Sequence, residues 1–177
     1  MTPTAVEQHH QGSPVALADR RRVVIRQLDA GDGPALVAAI EHADPWDLRR
    51  RFMGTPPPSS FLLRQLQRAD GVHDCAFGAF TEDGRLVGVA QFDRDDDRPT
   101  AEFAIEVAHD WQHSGLGTAL VRELARHARA LGVREFTATY YADNIGIRRL
   151  LHDVGRVVAS SFDCGEGEAR VDISGTE

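Results

Sequence analysis

A short loop in the middle of the chain combines residue types that suit anion binding. Residues 111–120 read WQHSGLGTAL, with Gly115 and Gly117 lying between a strand-like run and a periodic helix. Glycine lets another molecule approach the backbone, but ordering it costs more entropy than ordering alanine, so stability alone does not favour two glycines here. Backbone N–H groups at a helix start attract anions. The pattern Gln112-x-x-Gly115-x-Gly117 therefore predicts an anion site made of main-chain N–H groups.

Two glutamates precede this loop in a run that alternates like a strand. Residues 101–107 read AEFAIEV, and the alternation places Glu102 and Glu106 on one face, opposite the apolar side chains of the run. Two carboxylates that lie close together raise the pKa of one of them, which suits a general base. The alternative is that both side chains face solvent and have no chemical role.

Other residues with reactive side chains fit no specific site. His109 and His113 are four positions apart, a spacing that aligns metal ligands on a helix but not across a loop, so we expect no metal. The acidic loop at 93–98 is typical of a solvated turn, although it suits attraction of a cationic substrate. Cys75 and Cys164 fit no redox or zinc spacing and are expected to be buried, unpaired thiols.

Composition limits the classes of protein to which the chain can belong. A length of 177 residues with 42% hydrophobic content suits one α/β domain. A net charge of -7 argues against binding nucleic acid through its phosphates. Residues 1–20 are expected to form a disordered arm and residues 21–177 a single domain. With no signal-like or membrane-spanning run, we expect a cytoplasmic protein that does not bind membranes. All 20 basic side chains are arginine, because the sequence has no lysine.

Periodicity and turn residues predict the element order β-α-α-β-β-β-α-β-α-β-β, a mixed sheet covered by helices. The predicted strands are 23–28, 75–81, 86–92, 101–107, 135–141, 156–162 and 169–173. The predicted helices are 35–43, 59–68, 117–131 and 144–154, with a further turn at 46–52. The strongest prediction is the helix at 117–131, whose apolar positions keep helical spacing up to the stop at Gly132.

This element order, with the loop motif in it, resembles the Gcn5-related N-acetyltransferase (GNAT) superfamily, whose central motif is Gln/Arg-x-x-Gly-x-Gly/Ala. The resemblance covers about residues 23–162, and NIGIRRLLHDVG at 144–155 resembles the family's next motif. The runs at 47–52 and 101–107 most resemble the bacterial protein-lysine acetyltransferase branch. The resemblance implies an α/β (α+β) fold with a mixed, mostly antiparallel sheet of six to seven strands, flanked by about four helices.

The resemblance also implies acetyl-coenzyme A as co-substrate, with no metal. In the family, N–H groups of the loop hold the pyrophosphate, and the pantetheine arm pairs with the free edge of the preceding strand. Asn144 matches a further position that contacts the coenzyme. The implied coenzyme-binding residues are Ile105, Val107, Gln112, His113, Ser114, Gly115, Leu116, Gly117, Thr118 and Asn144.

The acceptor must lose a proton before transfer. A lysine-type amine has a pKa of about 10.4, so at pH 7 about one molecule in a few thousand carries the lone pair that attacks a thioester. The lysine acetyltransferase branch has its catalytic glutamate at the position of Glu102, and Glu106 is a rival or partner. Many relatives also carry a Tyr acid where this chain has Leu151. We do not expect Tyr140 or Tyr141 to replace it.

The sequence thus predicts an N-acetyltransferase that moves an acetyl group from acetyl-coenzyme A directly to a primary amine, with a protein lysine as the first candidate. One alternative is a small amine or antibiotic as acceptor. Another is a non-catalytic domain that senses acyl-coenzyme A, which the missing Tyr would suit. The acceptor, the acyl-chain preference and the choice between monomer and homodimer are left open.

Overall fold

The computed structural model describes residues 12–95 and 98–175, which form eight strands and five α-helices. The strands are β1 (Ser13–Ala16), β2 (Arg22–Gln27), β3 (Asp74–Phe80), β4 (Leu86–Asp93), β5 (Thr100–Val107), β6 (Glu135–Tyr141), β7 (Arg156–Asp163) and β8 (Glu166–Asp172). The helices are α1 (Gly33–Glu41), α2 (Pro45–Phe52), α3 (Ser59–Arg68), α4 (Leu116–Ala130) and α5 (Ile145–Val154).

All eight strands belong to one mixed sheet, which confirms the predicted fold class. The strand order is β1-β2-β3-β4-β5-β6-β8-β7, and each pair of neighbours is antiparallel except β5 and β6. The sheet has one strand more than the six to seven expected, because β1 lies inside the segment predicted to be a disordered arm. Part of that prediction is therefore wrong.

The extra strand forms because both its backbone and one of its side chains find partners. Ser13–Ala16 pairs with β2, and Val15 packs against the main core. The sequence of this segment does not by itself predict a strand, because it has few apolar residues. The hydrogen bonds that make it a strand come from its partner, β2. The rest of the predicted arm, at residues 1–11, lies outside the described residues.

Helix α4 covers one face of the sheet and forms the centre of the main core. Its inward side chains, including Leu120, Val121, Leu124 and Ala128, are fully buried beneath β3, β4 and β5. The helical spacing of these positions predicted this helix to within one residue at each end. None of the helices in the described ranges has the length and apolar content that crossing a bilayer requires.

Helices α1, α2 and α3 cover the opposite face of the sheet. Helix α2, expected only as a further turn, is a complete helix because its start is well capped: the Asp44 carboxylate accepts hydrogen bonds from the N–H groups of Trp46 and Asp47, and Pro45 occupies the first turn. Its capping matters for the site, since it places three arginines of its last turn beside β5.

The parallel strands β5 and β6 separate partway along their length. Their pairing runs from Thr100↔Glu135 to Glu102↔Thr137, after which β5 continues to Val107 and β6 to Tyr141. Beyond Glu102, β5 remains paired with β4 on its other side. A wedge therefore opens in the middle of the sheet, and the start of α4 lies at its wide end.

Candidate active site

The wedge between β5 and β6 is a cleft with a volume of about 640 Å³. Its walls are the second half of β5, the loop that precedes α4, and one face of α5, together with residues of α2. The cleft residues that the sequence predicted for coenzyme binding or catalysis are Ile105, Glu106, Val107, Gln112, His113, Gly115, Gly117, Thr118 and Asn144. Most of the predicted site residues are thus brought together by the fold.

One wall of the cleft is an unpaired strand edge. The Ala108 N–H donates to the Val87 carbonyl of β4 at 3.0 Å. Because N–H groups alternate in direction along a strand, those of Ile105 and Val107 point away from β4 and into the cleft. The Val107 carbonyl also faces the cleft, where it accepts a 3.3 Å hydrogen bond from the Gln112 side chain. An extended chain can pair with this edge as an additional strand would.

The loop at the wide end of the cleft presents several free N–H groups. Gly115 has φ +88°, a left-handed conformation that favours glycine, and helix α4 begins directly after it. In the part of the chain that the structure describes, five loop amides donate no hydrogen bond, namely those of His113, Ser114, Gly115, Gly117 and Thr118. They lie at the positive end of the α4 dipole, which favours an anion.

Two of the seven amides expected in the anion site are already used within the loop. The Gln112 N–H donates to the His109 carbonyl at 3.3 Å, and the Leu116 N–H donates to Ser114 Oγ at 3.3 Å. The Ser114 hydroxyl in turn donates to the Trp111 carbonyl at 2.6 Å and is buried. The side chain of Ser114 therefore shapes the loop, and the residue itself is buried rather than part of the cleft lining.

Gly117 places a small residue on the wall of the cleft, opposite the free edge of β5. A methyl group at its Cα would come 3.6 Å from Ile105, 3.8 Å from Val107 and 4.0 Å from Leu150. These are ordinary van der Waals contacts, so packing within the protein does not require a glycine at this position.

Asn144 lies at the start of α5 on the far wall of the cleft. Its Oδ1 accepts a 3.2 Å hydrogen bond from the Ile147 N–H and so caps the helix. This contact explains the asparagine structurally, and a coenzyme contact by the same side chain stays a prediction. Leu151, at the position of the family's Tyr, is buried in the main core. Tyr140 borders the cleft, and its ring lies edge-on to Phe162.

The two glutamates of β5 differ in their surroundings although they share a face, as the alternation predicted. Glu102 is exposed, is paired with Asp93 and Thr137, and lies where β5 and β6 begin to separate. Glu106 is partly buried and lines the cleft. Burial raises the pKa of Glu106, the positive charge of Arg51 opposes that rise, and the negative charge of Asp47 adds to it.

Several charged residues of the cleft were not singled out as site residues from the sequence. Asp47, Arg50 and Arg51 come from α2, and Arg149 and Asp153 come from α5. A signal for the last two was present, since they follow Gly146 at helical spacing and lie on the face that also carries Leu150. For the α2 residues the signal was the likeness of residues 47–52 to the lysine acetyltransferase branch, and the spacing alone did not decide whether the arginines at 49–51 face the protein surface or the phosphates of the coenzyme.

The geometry agrees with the comparisons to known proteins. The model of the acetyltransferase (GNAT) family matches residues 38–155. The chain is 33% identical over 146 residues to "Acetyltransferase PA5475" of Pseudomonas aeruginosa, covering 80% of this chain and 78% of that protein. It is 32% identical over 129 residues to "Acetyltransferase Pat" of Mycolicibacterium smegmatis, covering 71% of this chain and 38% of the relative.

Solved structures show the same fold. The GNAT domain of S. lividans PAT superposes with a TM-score of 0.84 at 23% identity, covering 97% of this chain and 99% of that one. The structure of yncA from Salmonella typhimurium, described with its cofactor acetyl-CoA, superposes with a TM-score of 0.69 at 22% identity over 88% of this chain and 96% of that one. From the family match and the cleft together, the chain belongs to the acetyltransferase (GNAT) family and is an acetyl-CoA-dependent N-acetyltransferase.

Proposed function

We propose that the acceptor is a primary amine of a protein lysine and that a carboxylate of β5 removes its proton during direct transfer. The observation that carries the proposal is the cleft itself: free loop amides at one end, an unpaired strand edge along one wall, and the Glu102 and Glu106 face beside it. The lysine acceptor is supported by the likeness of residues 47–52 and 101–107 to the lysine acetyltransferase branch, and by the match to relatives named Pat and PAT.

The proposed position of the coenzyme follows from backbone N–H groups that have no hydrogen-bond partner within the described residues. The five free loop amides bind the pyrophosphate, and the N–H groups of Ile105 and Val107 pair with the pantetheine arm. This arrangement directs the thioester toward the point where β5 and β6 separate. Of these two strand N–H groups, the one nearer the thioester then donates to the thioester carbonyl oxygen as negative charge develops on it.

The reaction needs one proton acceptor and no covalent enzyme intermediate. The carboxylate takes one proton from the protonated acceptor amine, and the neutral nitrogen forms the N–C bond with the acetyl carbon. The C–S bond then breaks, and the second nitrogen proton passes to the departing thiolate, so the coenzyme leaves as its thiol. The thiolate resembles that of cysteine, with a pKa of about 8.5, so a dedicated acid helps but is not essential. The buried Leu151 is compatible with this route.

The base belongs to the Glu102 and Glu106 pair, and different observations favour each member. The family resemblance, the exposure of Glu102 and its place at the strand separation favour Glu102. The cleft lining and the raised pKa of its carboxyl favour Glu106. Both side chains flank Ala104 on one face of β5, but only Glu106 lines the cleft, so Glu102 as the base requires the acceptor to reach the exposed part of that face.

The test is thiol release from acetyl-coenzyme A with a panel of peptides, proteins and small amines, using wild type, Glu102→Gln and Glu106→Gln. Replacing the base should reduce turnover by about 10²- to 10⁴-fold, while calorimetry shows unchanged coenzyme binding. The variant of the glutamate that is not the base serves as the matched control, because its turnover should stay near that of wild type. If neither variant loses turnover, neither glutamate is the base.

The same panel tests the acceptor class. Peptide lysines should be acetylated faster than free small amines, and mass spectrometry should find the acetyl group on the lysine nitrogen. Because the enzyme has no lysine, every acetyl-lysine detected comes from the acceptor. Faster turnover of an antibiotic or a small amine would contradict the protein-lysine proposal and leave the N-acetyltransferase itself in place.

A further inference from the structure

A second cavity lies on the other side of β5 from the coenzyme cleft. It has a volume of about 70 Å³ and lies between the sheet and helices α1, α2 and α3, with mostly apolar walls. Among residues 12–95 and 98–175, two residues line both this cavity and the coenzyme cleft, and these are Arg51 and Glu106. The two side chains therefore form the boundary between the two spaces.

Arg51 is held near the β5 carboxylates without a direct bond to them. Within the described ranges its guanidinium makes no hydrogen bond or ion pair, and its closest aromatic neighbour is the Phe52 ring, whose centroid lies 4.9 Å away. By contrast, Arg26 makes two hydrogen bonds to the Asp32 carboxylate, at 2.6 and 2.8 Å. Among the described residues no side-chain nitrogen or oxygen is both buried and without a hydrogen-bond partner, so the Arg51 nitrogens keep contact with solvent. The cation is therefore placed to act on the β5 carboxylates through its charge rather than through a hydrogen bond.

The electrostatic surroundings connect Arg51 to both candidate bases. Burial lowers the pKa of Arg51, while the negative charges of Glu106 and Glu102 raise it. The effect is mutual, since the Arg51 cation also opposes the rise in the pKa of Glu106. An opposite charge near a carboxylate favours its ionised form, which is the form that accepts a proton.

We propose that Arg51 is a positioning residue of acetyl transfer, whose cation keeps the Glu106 carboxylate ionised at the boundary between the two cavities. This inference rests on the proposed role of Glu106 as the base. It adds a residue on α2 that acts through this carboxylate without touching the reacting atoms. Arg50 is the natural comparison, because it lines the coenzyme cleft but not the second cavity.

Other charges around Glu106 must be considered in any pH experiment. These charges come from four elements: Asp47 and Arg50 from α2, Glu102 from β5, Asp74 from β3, and Arg149 and Asp153 from α5. All of them except Glu102 line one of the two cavities. Arg51 stands out because it is the cation whose charge acts on the Glu106 carboxyl. Removing Arg51 should therefore change the titration of Glu106 more than removing Arg50.

The experiment compares wild type with Arg51→Met, Arg51→Lys and the matched control Arg50→Met. Carboxyl pKa values are measured by NMR on protein with ¹³C-labelled glutamate, with Glu102→Gln and Glu106→Gln used to assign the signals. Turnover is measured with the best amine of the panel over the same pH range. Thermal unfolding identifies a variant that does not fold, in which case Arg51→Gln replaces Arg51→Met.

We expect Arg51→Met to raise the pKa of the Glu106 carboxyl by about one unit and to move the acidic limb of the turnover–pH profile upward by about one unit, so that turnover falls by up to about tenfold on that limb. Arg51→Lys keeps the positive charge, so its carboxyl pKa and its turnover should both match those of wild type. Arg50→Met should leave the carboxyl pKa unchanged. Unchanged carboxyl pKa values and turnover in Arg51→Met would overturn the inference while wild type remains active. Failure of the proposed function looks different, since wild type itself would then acetylate no amine.

Discussion

Gln112 donates a hydrogen bond from Nε2 to Asp47 Oδ2 at 2.8 Å. The same nitrogen lies 3.3 Å from the Val107 carbonyl, so one side chain joins the loop before α4, the free edge of β5 and helix α2. The Asp47 carboxylate is largely buried and also lies 3.4 Å from His109 Nδ1. Asp47 therefore connects the helix that carries Arg51 to the loop before α4 and, through Gln112, to the free edge of β5.

Asp47→Ala should weaken coenzyme binding, because Gln112 would no longer be fixed against the strand edge. We expect a several-fold rise in the Kd for coenzyme A by calorimetry, with a loss of about 1–3 kcal/mol in the free energy of unfolding. Asp44→Ala is the control, since it removes the cap of α2 at a cost of about 1 kcal/mol and leaves Gln112 in place. Equal effects of the two variants on coenzyme binding would contradict the prediction.

Gly117→Ala should show whether the glycine is needed for stability or for coenzyme binding. The new methyl group makes only ordinary contacts with Ile105, Val107 and Leu150, and alanine favours a helix by about 1 kcal/mol over glycine. Because the family's motif also accepts alanine at this position, the variant should unfold at the wild-type temperature or above and bind coenzyme A about as tightly as wild type, as measured by thermal unfolding and calorimetry.

Gly115→Ala is the matched comparison for that variant. Its methyl group has room, with Ala18 Cβ 3.9 Å away, but its φ of +88° strains any residue with a Cβ, at about 1–2 kcal/mol. Gly115→Ala should therefore lower the unfolding temperature. A coenzyme affinity at least tenfold weaker in Gly117→Ala (about 1.4 kcal/mol) would contradict the prediction and show that one methyl group at residue 117 blocks the coenzyme.

Asp74 predicts a pH dependence of stability. Its partial burial, together with a hydrogen bond and repulsion from Asp93, raises the pKa of the Asp74 carboxyl from 3.8 to about 6. The folded state then binds more protons than the unfolded state between pH 4 and 6, so the free energy of unfolding falls as pH rises through that window. Asp74→Asn should remove this fall, as measured by chemical denaturation at pH 4, 5, 6 and 7.

The Asp172 carboxyl provides a control for this series of stability measurements, because its pKa is shifted in the opposite direction from that of Asp74. Hydrogen bonds from Ser174 and Arg156 lower the pKa of the Asp172 carboxyl from 3.8 to about 2. Its stabilising effect is therefore present above pH 4 and is lost as pH falls toward 2. Asp172→Asn should be less stable than wild type at neutral pH. An Asp74→Asn curve that still falls between pH 4 and 6 would assign the effect to other groups.

The two cysteines should differ in reactivity. Both are free thiols, but Cys75 is buried and Cys164 is exposed, which corrects the expectation that both are buried. Burial, with the nearby charges of Asp70 and Asp74, raises the pKa of the Cys75 thiol to about 12. Iodoacetamide at pH 8 should therefore label Cys164 in the folded protein, and Cys75 after denaturation. Mass spectrometry of labelled peptides measures both, and rapid labelling of folded Cys75 would contradict its burial.

The sequence by itself determined the features that depend on neighbours along the chain. The helical spacing after Gly117, the alternation around Glu102 and Glu106, and the two glycines of the loop each act within a few residues, so local patterns predicted α4, the faces of β5 and the turn between them. The GNAT resemblance depends on the same local motifs, which is why it was correct before any tertiary contact was known.

The tertiary structure decided which distant residues meet. The separation of β5 from β6 after Glu102, the contact of Asp47 with Gln112, and the place of Arg51 beside Glu106 all join segments far apart in the sequence. The strand at Ser13–Ala16 likewise exists because β2 pairs with it. Such contacts depend on packing and partner strands rather than on local propensity, so no pattern within either segment alone could have revealed them.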